Sequence, residues 1–172
     1  VFGENDRIVS DMDVGKSYYQ SALDVFQNGV GTGKKVILDG TGLSAAAMNW
    51  QGYNFVMRNI HIKANTGQSC LKASNDSVQD SEGASFIGCI FEGGAKGLCS
   101  NGMVDAIYCE DCIALDNTEY GFQLTSAENT ETGHIIDHCI AQNCGTGFAV
   151  SGGGILSGCL AEDCTIGVET IG

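Results

Sequence analysis

The segments DCIALDNTEYGFQL (111–124), HCIAQNCGTGFAV (138–150) and GCLAEDCTIGVET (158–170) repeat one motif anchored on cysteine. Cys112-Ile113-Ala114, Cys139-Ile140-Ala141 and Cys159-Leu160-Ala161 align with one another, and Cys89-Ile90-Phe91 joins them. Asn59-Ile60-His61 fits as a fifth copy, with Asn at the anchor. Eight or nine residues after each cysteine anchor stands a glycine and then an apolar residue: Gly97-Leu98, Gly121-Phe122, Gly147-Phe148 and Gly167-Val168. The anchors are 30, 23, 27 and 20 residues apart. A drifting period in the twenties, rich in β-branched residues and free of long amphipathic helix, is what a coiled sheet writes into sequence.

The repeat has further columns. Val56, Phe86, Cys109, Ile136 and Leu156 precede the anchors by three and are all apolar. Ile60, Ile90, Ile113, Ile140 and Leu160 follow by one, and His61, Phe91, Ala114, Ala141 and Ala161 by two. Each copy therefore predicts two or three short strands separated by turns. Stacked about 4.8 Å apart, such turns pair every backbone amide with the coil above or below. The expected fold is all-β, a right-handed parallel β-helix of about six rungs with an N-terminal capping helix. Strand alternation puts the anchor and the column three before it on opposite faces unless a bend falls between them. With that bend, cysteines and alanines fill the bore and the isoleucine column faces out as an oligomer stripe. Burial of at least part of that column is the expectation.

The chain of 172 residues predicts one core running the length of the coil, with residues 1–32 as an N-terminal segment and 33–172 as the β-helix. Asp13 to Asn28 reads as the helix: Tyr18, Ala22, Val25 and Phe26 share a face, and Gly29 occupies the stop position. Twenty-five glycines and no proline suit tight turns between short strands. A net charge of −13 with only eight Lys plus Arg predicts no nucleic-acid partner and no anionic membrane partner. No apolar run is long enough to span a bilayer. No C-terminal cap is visible in the sequence, so an open coil end is expected to need cover from another chain or domain. The opening at Val and the finish at the end of a rung read as a fragment or processed product.

Nine cysteines leave at least one thiol unpaired. Cys109-Glu110-Asp111-Cys112 has CxxC spacing, but each cysteine also fits its own column, and Cys144 and Cys164 form another. Buried free thiols pack as small hydrophobes, and stacked reduced thiols imply folding in a reducing cytoplasm. No cofactor and no metal centre is expected. Gly29-Val-Gly-Thr-Gly33-Lys34-Lys35 lacks the spacing of a phosphate loop and reads as a turn into the coil. The sequon Asn75-Asp76-Ser77 carries no meaning in a reducing compartment. Polar insertions at residues 74–84 and 125–133 recur at one phase of the repeat, where solenoids commonly build a binding face.

Acidic columns are the candidate chemistry. Glu110 and Asp137 both lie two residues before an anchor, with Asp111 and His138 in the adjacent column. Ladder spacing would bring the first two carboxyls to about 5 Å, near the separation of a retaining glycosidase. Such a pair splits into an acid and a nucleophile or base. Asp116, Asn143 and Asp163 follow their anchors by four and form a candidate substrate-binding row, with oxygen ligands that also suit a hard cation. The alternative is a charged, solvated outer surface, since charged residues are mostly exposed. His61 reads as a packed histidine. Trp50, Tyr53, Tyr108 and Tyr120 read as sugar-stacking surfaces or as packing.

The three opening segments resemble the rungs of the pectate-lyase-like right-handed β-helix superfamily, above all bacteriophage tailspikes and related virion appendages. The resemblance covers about residues 33–172, and residues 13–28 look like the helix that plugs such coils. It implies a homotrimer that binds a cell-surface polysaccharide or builds a fibre with other virion proteins. The implied location is the virion after folding in the host cytoplasm, or alternatively a bacterial surface or secreted setting. The superfamily also includes polysaccharide hydrolases, lyases and epimerases, but the only arginines are Arg7 and Arg58, so no lyase-type basic constellation transfers.

Overall fold

The computed structural model describes residues 7–8, 12–13, 36–74, 81–101, 104–125, 133–151 and 153–171. From Val56 onward the chain makes the same three-sided circuit five times. Sheet I collects Val56–Arg58, Ser85–Ile87, Tyr108–Glu110, Ile135–Asp137 and Ile155–Ser157. Sheet II collects Ile60–Ala64, Ile90–Glu92, Ile113–Leu115, Ile140–Gln142 and Leu160–Glu162. Sheet III collects Ser69–Ser74, Lys96–Asn101, Tyr120–Leu124, Thr146–Ser151 and Ile166–Ile171. A two-sided turn precedes them, with Val36–Gly40 in sheet II and Met48–Trp50 in sheet III. Arg7–Ile8 and Met12–Asp13 pair onto that turn. All pairings are parallel, for example Ile90 with Ile113 and Ile113 with Ile140. This is a right-handed parallel β-solenoid.

No helix occurs among the described residues. Apart from Asp13, which lies in a strand, the expected capping helix at 13–28 falls outside them, as do the turn at 29–35 and the sequon at 75–77.

The bend between the anchor column and the one before it is real and has a sequence signature. Sheet I passes to sheet II through one residue of positive φ: Asn59, Gly88, Asp111, His138 and Gly158, at 49–61°. The next residue is the anchor, now turned inward, and Cys89, Cys112 and Cys139 are fully buried. One correction follows for the fifth copy. The register pairs Ile90 with His61, so Ile60 holds the anchor position and Asn59 is the bend residue beside Gly88. The column three before the anchor therefore starts at Met57, which is buried, and His61 turns outward with Ile90. His61 is thus no packed core histidine.

A second bend joins sheet II to sheet III through Gly93, Asp116, Asn143 and Asp163, again at positive φ. Asn and Asp tolerate this left-handed conformation better than other side-chain-bearing residues, which explains their recurrence there. Both bends bring a carbonyl within reach of the following cysteine, and that carbonyl also accepts a backbone amide of a neighbouring turn, as Glu110 does from Gly88 at 2.8 Å and Gln142 from Asp116 at 3.1 Å. Cys89, Cys112, Cys139 and Cys159 each donate a thiol hydrogen bond to the carbonyl two residues back, at 3.3–3.6 Å. Cys144 and Cys164 do the same at the second bend, at 3.4 and 3.5 Å. Cysteine suits the site because it is small, apolar and still a weak donor.

The bore is filled by an aromatic file. Trp50, Phe55, Phe86, Phe91, Phe122 and Phe148 touch in succession with ring centroids 5.3–6.3 Å apart. Beyond Phe91 the column two after the anchor shrinks to Ala114 and Ala141, which makes room for the rings of Phe122 and Phe148. Gly121 lies where a Cβ would come within 2.7 Å of the Gly147 carbonyl oxygen and 3.0 Å of Ala141 Cβ. Gly97, Gly121 and Gly147 are thus set by close approach between turns, whereas Gly167 on the last described turn meets nothing closer than 3.7 Å. The isoleucine column Ile90, Ile113 and Ile140 faces outward and is half-buried, while Leu160 on the last described turn is 52 % exposed.

Candidate functional site

On the outer face of sheet I, Glu110 and Asp137 are ladder partners on adjacent strands. Strand spacing sets their backbones about 4.8 Å apart. Asp111 and His138 occupy the bend just beyond, both at positive φ, so their residue types serve the backbone as well as any chemistry. His138 Nδ1 lies 2.9 Å from Asp137 Oδ1. A hydrogen bond from Ser157, followed by His138, holds the Asp137 carboxyl below the usual carboxylate range. Tyr108 stands in the same strand as Glu110. Desolvation and the charges of Glu110 and Asp137 raise its phenol. All four sequence-predicted catalytic residues are therefore neighbours on one surface.

Asp116, Asn143 and Asp163 stack along the second bend, outside the solenoid. Asn143 Nδ2 donates to Asp116 Oδ1 at 2.7 Å. The row thus presents an amide donor against a carboxylate. No cluster of three or more His, Cys, Asp or Glu that can hold a metal occurs among the described residues.

A cleft of about 580 Å³ lies on the outer side of sheet III, between the sheet and residues 44–46. Its wall is built from outward positions of successive turns: Asn49, Lys72, Cys99 and Gln123 form one column by register, and Ser69 and Lys96 belong to the other. Thr125, where the second polar insertion begins, closes one side. The Cys99 thiol donates to Ser69 Oγ at 3.3 Å. Burial pushes that thiol up, and Ser69, Lys96 and Lys72 offset part of the rise. A thiol held protonated is no nucleophile. Lys96 sits 5.6 Å above the Tyr120 ring and 3.9 Å from Glu119, and Lys72 has no acidic partner among the described residues.

Elsewhere on the surface, Glu92 bridges His61 Nε2 at 2.6 Å and Lys63 Nζ at 3.0 Å across two turns of sheet II. These hydrogen bonds to Lys63 and His61 hold its carboxyl low despite partial burial. None of the nine cysteines is paired, and burial drives the Cys70 thiol up to about 12. Trp50 is fully buried, while Tyr53 is exposed.

Compared with protein-family models, curated proteins and solved structures, the chain matches none of them. The cleft lysines were not among the sequence candidates. Their signal is weak because Lys72 and Lys96 lie a whole turn apart in the chain and in different columns, and they line one cleft only once the turns stack. One clue was present: two of only eight basic residues fall in successive sheet III strands, Ser69–Ser74 and Lys96–Asn101.

Proposed function

We propose that this chain is a glycan-binding β-helix of the pectate-lyase-like type, most like the virion appendages and tailspikes, and that its cleft on sheet III is the binding site. The cleft carries the reading. Its volume suits a small-molecule or short-oligomer site. It is walled by side-chain amides and hydroxyls on a rigid ladder, the donor-and-acceptor set that sugar hydroxyls need. A homotrimer accords with the outward, half-buried isoleucine column, which association would cover. The test is a panel of bacterial capsular and O-antigen polysaccharides, read by binding to the full chain, with light scattering for oligomeric state. Saturable binding that Gln123→Ala weakens supports the site. Binding untouched by substitutions along the cleft refutes it.

A second reading has its own observation, the ladder pairing of Glu110 with Asp137. In a polysaccharide hydrolase the lowered Asp137 carboxyl is the nucleophile or base, Glu110 the acid, and His138 the group that holds Asp137 in place. New reducing ends released from a panel glycan, and lost in Glu110→Gln with Asp137→Asn, support it. Unchanged activity in that double variant sinks it.

A further inference from the structure

Two thiols meet across the last two described turns. The register pairs Gln142 with Glu162 and Thr146 with Ile166, so Cys144 and Cys164 stand opposite each other at the second bend. Their surroundings repeat turn for turn. Cys144 donates to the carbonyls of Gln142 and Ala114 at 3.4 and 3.7 Å, and Cys164 to those of Glu162 and Ala141 at 3.5 and 3.4 Å. Both sulfurs therefore point the same way, and they lie within hydrogen-bonding reach of one another. Parallel ladder partners stand about 4.8 Å apart, within the roughly 4.4–6.8 Å between Cα atoms that a disulfide accepts. Access separates this pair from the others. Cys112 and Cys139 are also ladder partners, but both are fully buried. Cys159 is half-buried, yet the sulfur opposite it, that of Cys139, is engaged by Cys112, whose amide donates to it at 3.4 Å. Cys164 is half-buried and faces a thiol.

We infer that Cys144 and Cys164 form a peroxide-oxidation site, closing a disulfide that ties the last described turn to the one before it. Cys164 is the more exposed of the two and meets the oxidant. Burial raises the Cys144 thiol, which keeps its proton until the second step. First, the Cys164 sulfur attacks hydrogen peroxide. An S–O bond forms, the O–O bond breaks, and the departing hydroxide takes the thiol proton as water, leaving a sulfenic acid. Then the Cys144 sulfur attacks that of Cys164. The S–S bond forms, the S–O bond breaks, and the hydroxyl leaves as water with the Cys144 proton. Two thiols and one peroxide give one disulfide and two waters, and the two electrons lost by the sulfurs reduce the peroxide. Loss of the thiol hydrogens strands no acceptor at this bend. The Gln142 carbonyl also accepts from the Asp116 amide at 3.1 Å, and that of Glu162 from the Asn143 amide at 3.0 Å. Among the described residues the last turn pairs on one side only, so it can shift to close the bond, and its amides are the ones the bond holds. Neither thiol lines the sheet III cleft, so failure of this chemistry leaves glycan binding untouched.

The test treats the reduced full chain with equimolar hydrogen peroxide and maps its disulfides by peptide mass spectrometry. The expected product has lost two hydrogens and two of its nine titratable thiols, through one crosslink between Cys144 and Cys164 that a dithiol reverses. Amide hydrogen exchange in Ile166–Ile171 should slow at least about tenfold on oxidation. Cys164→Ser should form no crosslink, and Cys144→Ser should stop at a Cys164 sulfenic acid that dimedone traps. Circular dichroism checks the fold of each variant, and the wild-type map decides the matter even where a substitution unfolds the chain. Nine intact thiols, a crosslink between any other pair or between two chains, or Cys164 driven to sulfinic acid without a crosslink overturns the inference. So does a Cys144–Cys164 crosslink that leaves exchange in the last strand unchanged.

Discussion

Asn117→Ala is expected to be among the costliest single changes in this solenoid. Asn117 follows the bend residue Asp116, at the position that cysteine fills in the next two turns, and it is fully buried. Its Oδ1 accepts from the Gly94 amide at 3.1 Å, and its Nδ2 donates to the Phe91 carbonyl at 3.1 Å. Alanine strands the Gly94 donor away from water at about 1–3 kcal/mol and takes a second donor from the Phe91 carbonyl, which stays in its ladder with the next turn, so the loss is roughly 2–4 kcal/mol. That is a large share of the 5–15 kcal/mol typical of a domain, roughly. Asn117→Cys grades the argument. Cys144 and Cys164 donate to the equivalent carbonyls of Ala114 and Ala141, at 3.7 and 3.4 Å. A thiol at 117 therefore restores the Phe91 contact but not the Gly94 one, and should recover the smaller part of the loss. Urea unfolding followed by far-ultraviolet dichroism, together with fluorescence of the single buried Trp50, measures both variants. Midpoints should fall with the slope unchanged. An alanine variant within about 0.5 kcal/mol of wild type would refute the reasoning, as would a cysteine variant no better than alanine.

Gly121→Ala drives a Cβ to 2.7 Å from the Gly147 carbonyl oxygen and should cost about 1–3 kcal/mol, whereas Gly42→Ala meets nothing within 4 Å and should be neutral in the same unfolding assay. In native protein the buried thiols should resist labelling, with half-buried Cys159 and Cys164 reacting first; prompt labelling of all nine contradicts the inward anchors. Burial lowers the His134 imidazole from its ordinary 6.5, its Nδ1 accepting from the Ile107 amide at 3.4 Å. The unfolded chain then binds a proton before the folded one does. Stability is complete above about pH 6.5 and declines as pH falls toward the folded value, a slope that His134→Gln should flatten in urea titrations. The lowered Glu92 and Asp137 carboxyls act in the same direction only below their ordinary 4.5 and 3.8, so they do not confuse the window.

Much of the fold was legible because stacking forces like residues into columns. The cysteine step, the apolar column three before it and the Gly-apolar pair all report on the bore, and all three reappear as interior positions. The slip at Asn59 has a physical cause. Asn is a frequent bend residue, and the bend stands next to the anchor, so a one-residue shift looked harmless while exchanging inside for outside at His61. The candidate site was legible only where its residues share a column, as Glu110 and Asp137 do. Lys72 and Lys96 sit in different columns of different turns, and only the stacking of those turns sets them about one cleft.

The bends also separate two reasons for a recurring polar residue. Asp111, His138, Asp116, Asn143 and Asp163 all stand at positive φ, where Gly88, Gly93 and Gly158 fill the same role in other turns. A column that accepts glycine in place of aspartate is selected first by backbone geometry, so its carboxylates need no ligand to account for them. Glu110, Asp137, Lys72 and Lys96 lie on strands, where the backbone makes no such demand and β-propensity disfavours Asp, Glu and Lys. A charge in such a position costs strand preference without any return in bend geometry. That cost at Glu110 and Asp137, ladder partners on sheet I, is the physical reason to look for chemistry there before looking for a cation along the bends.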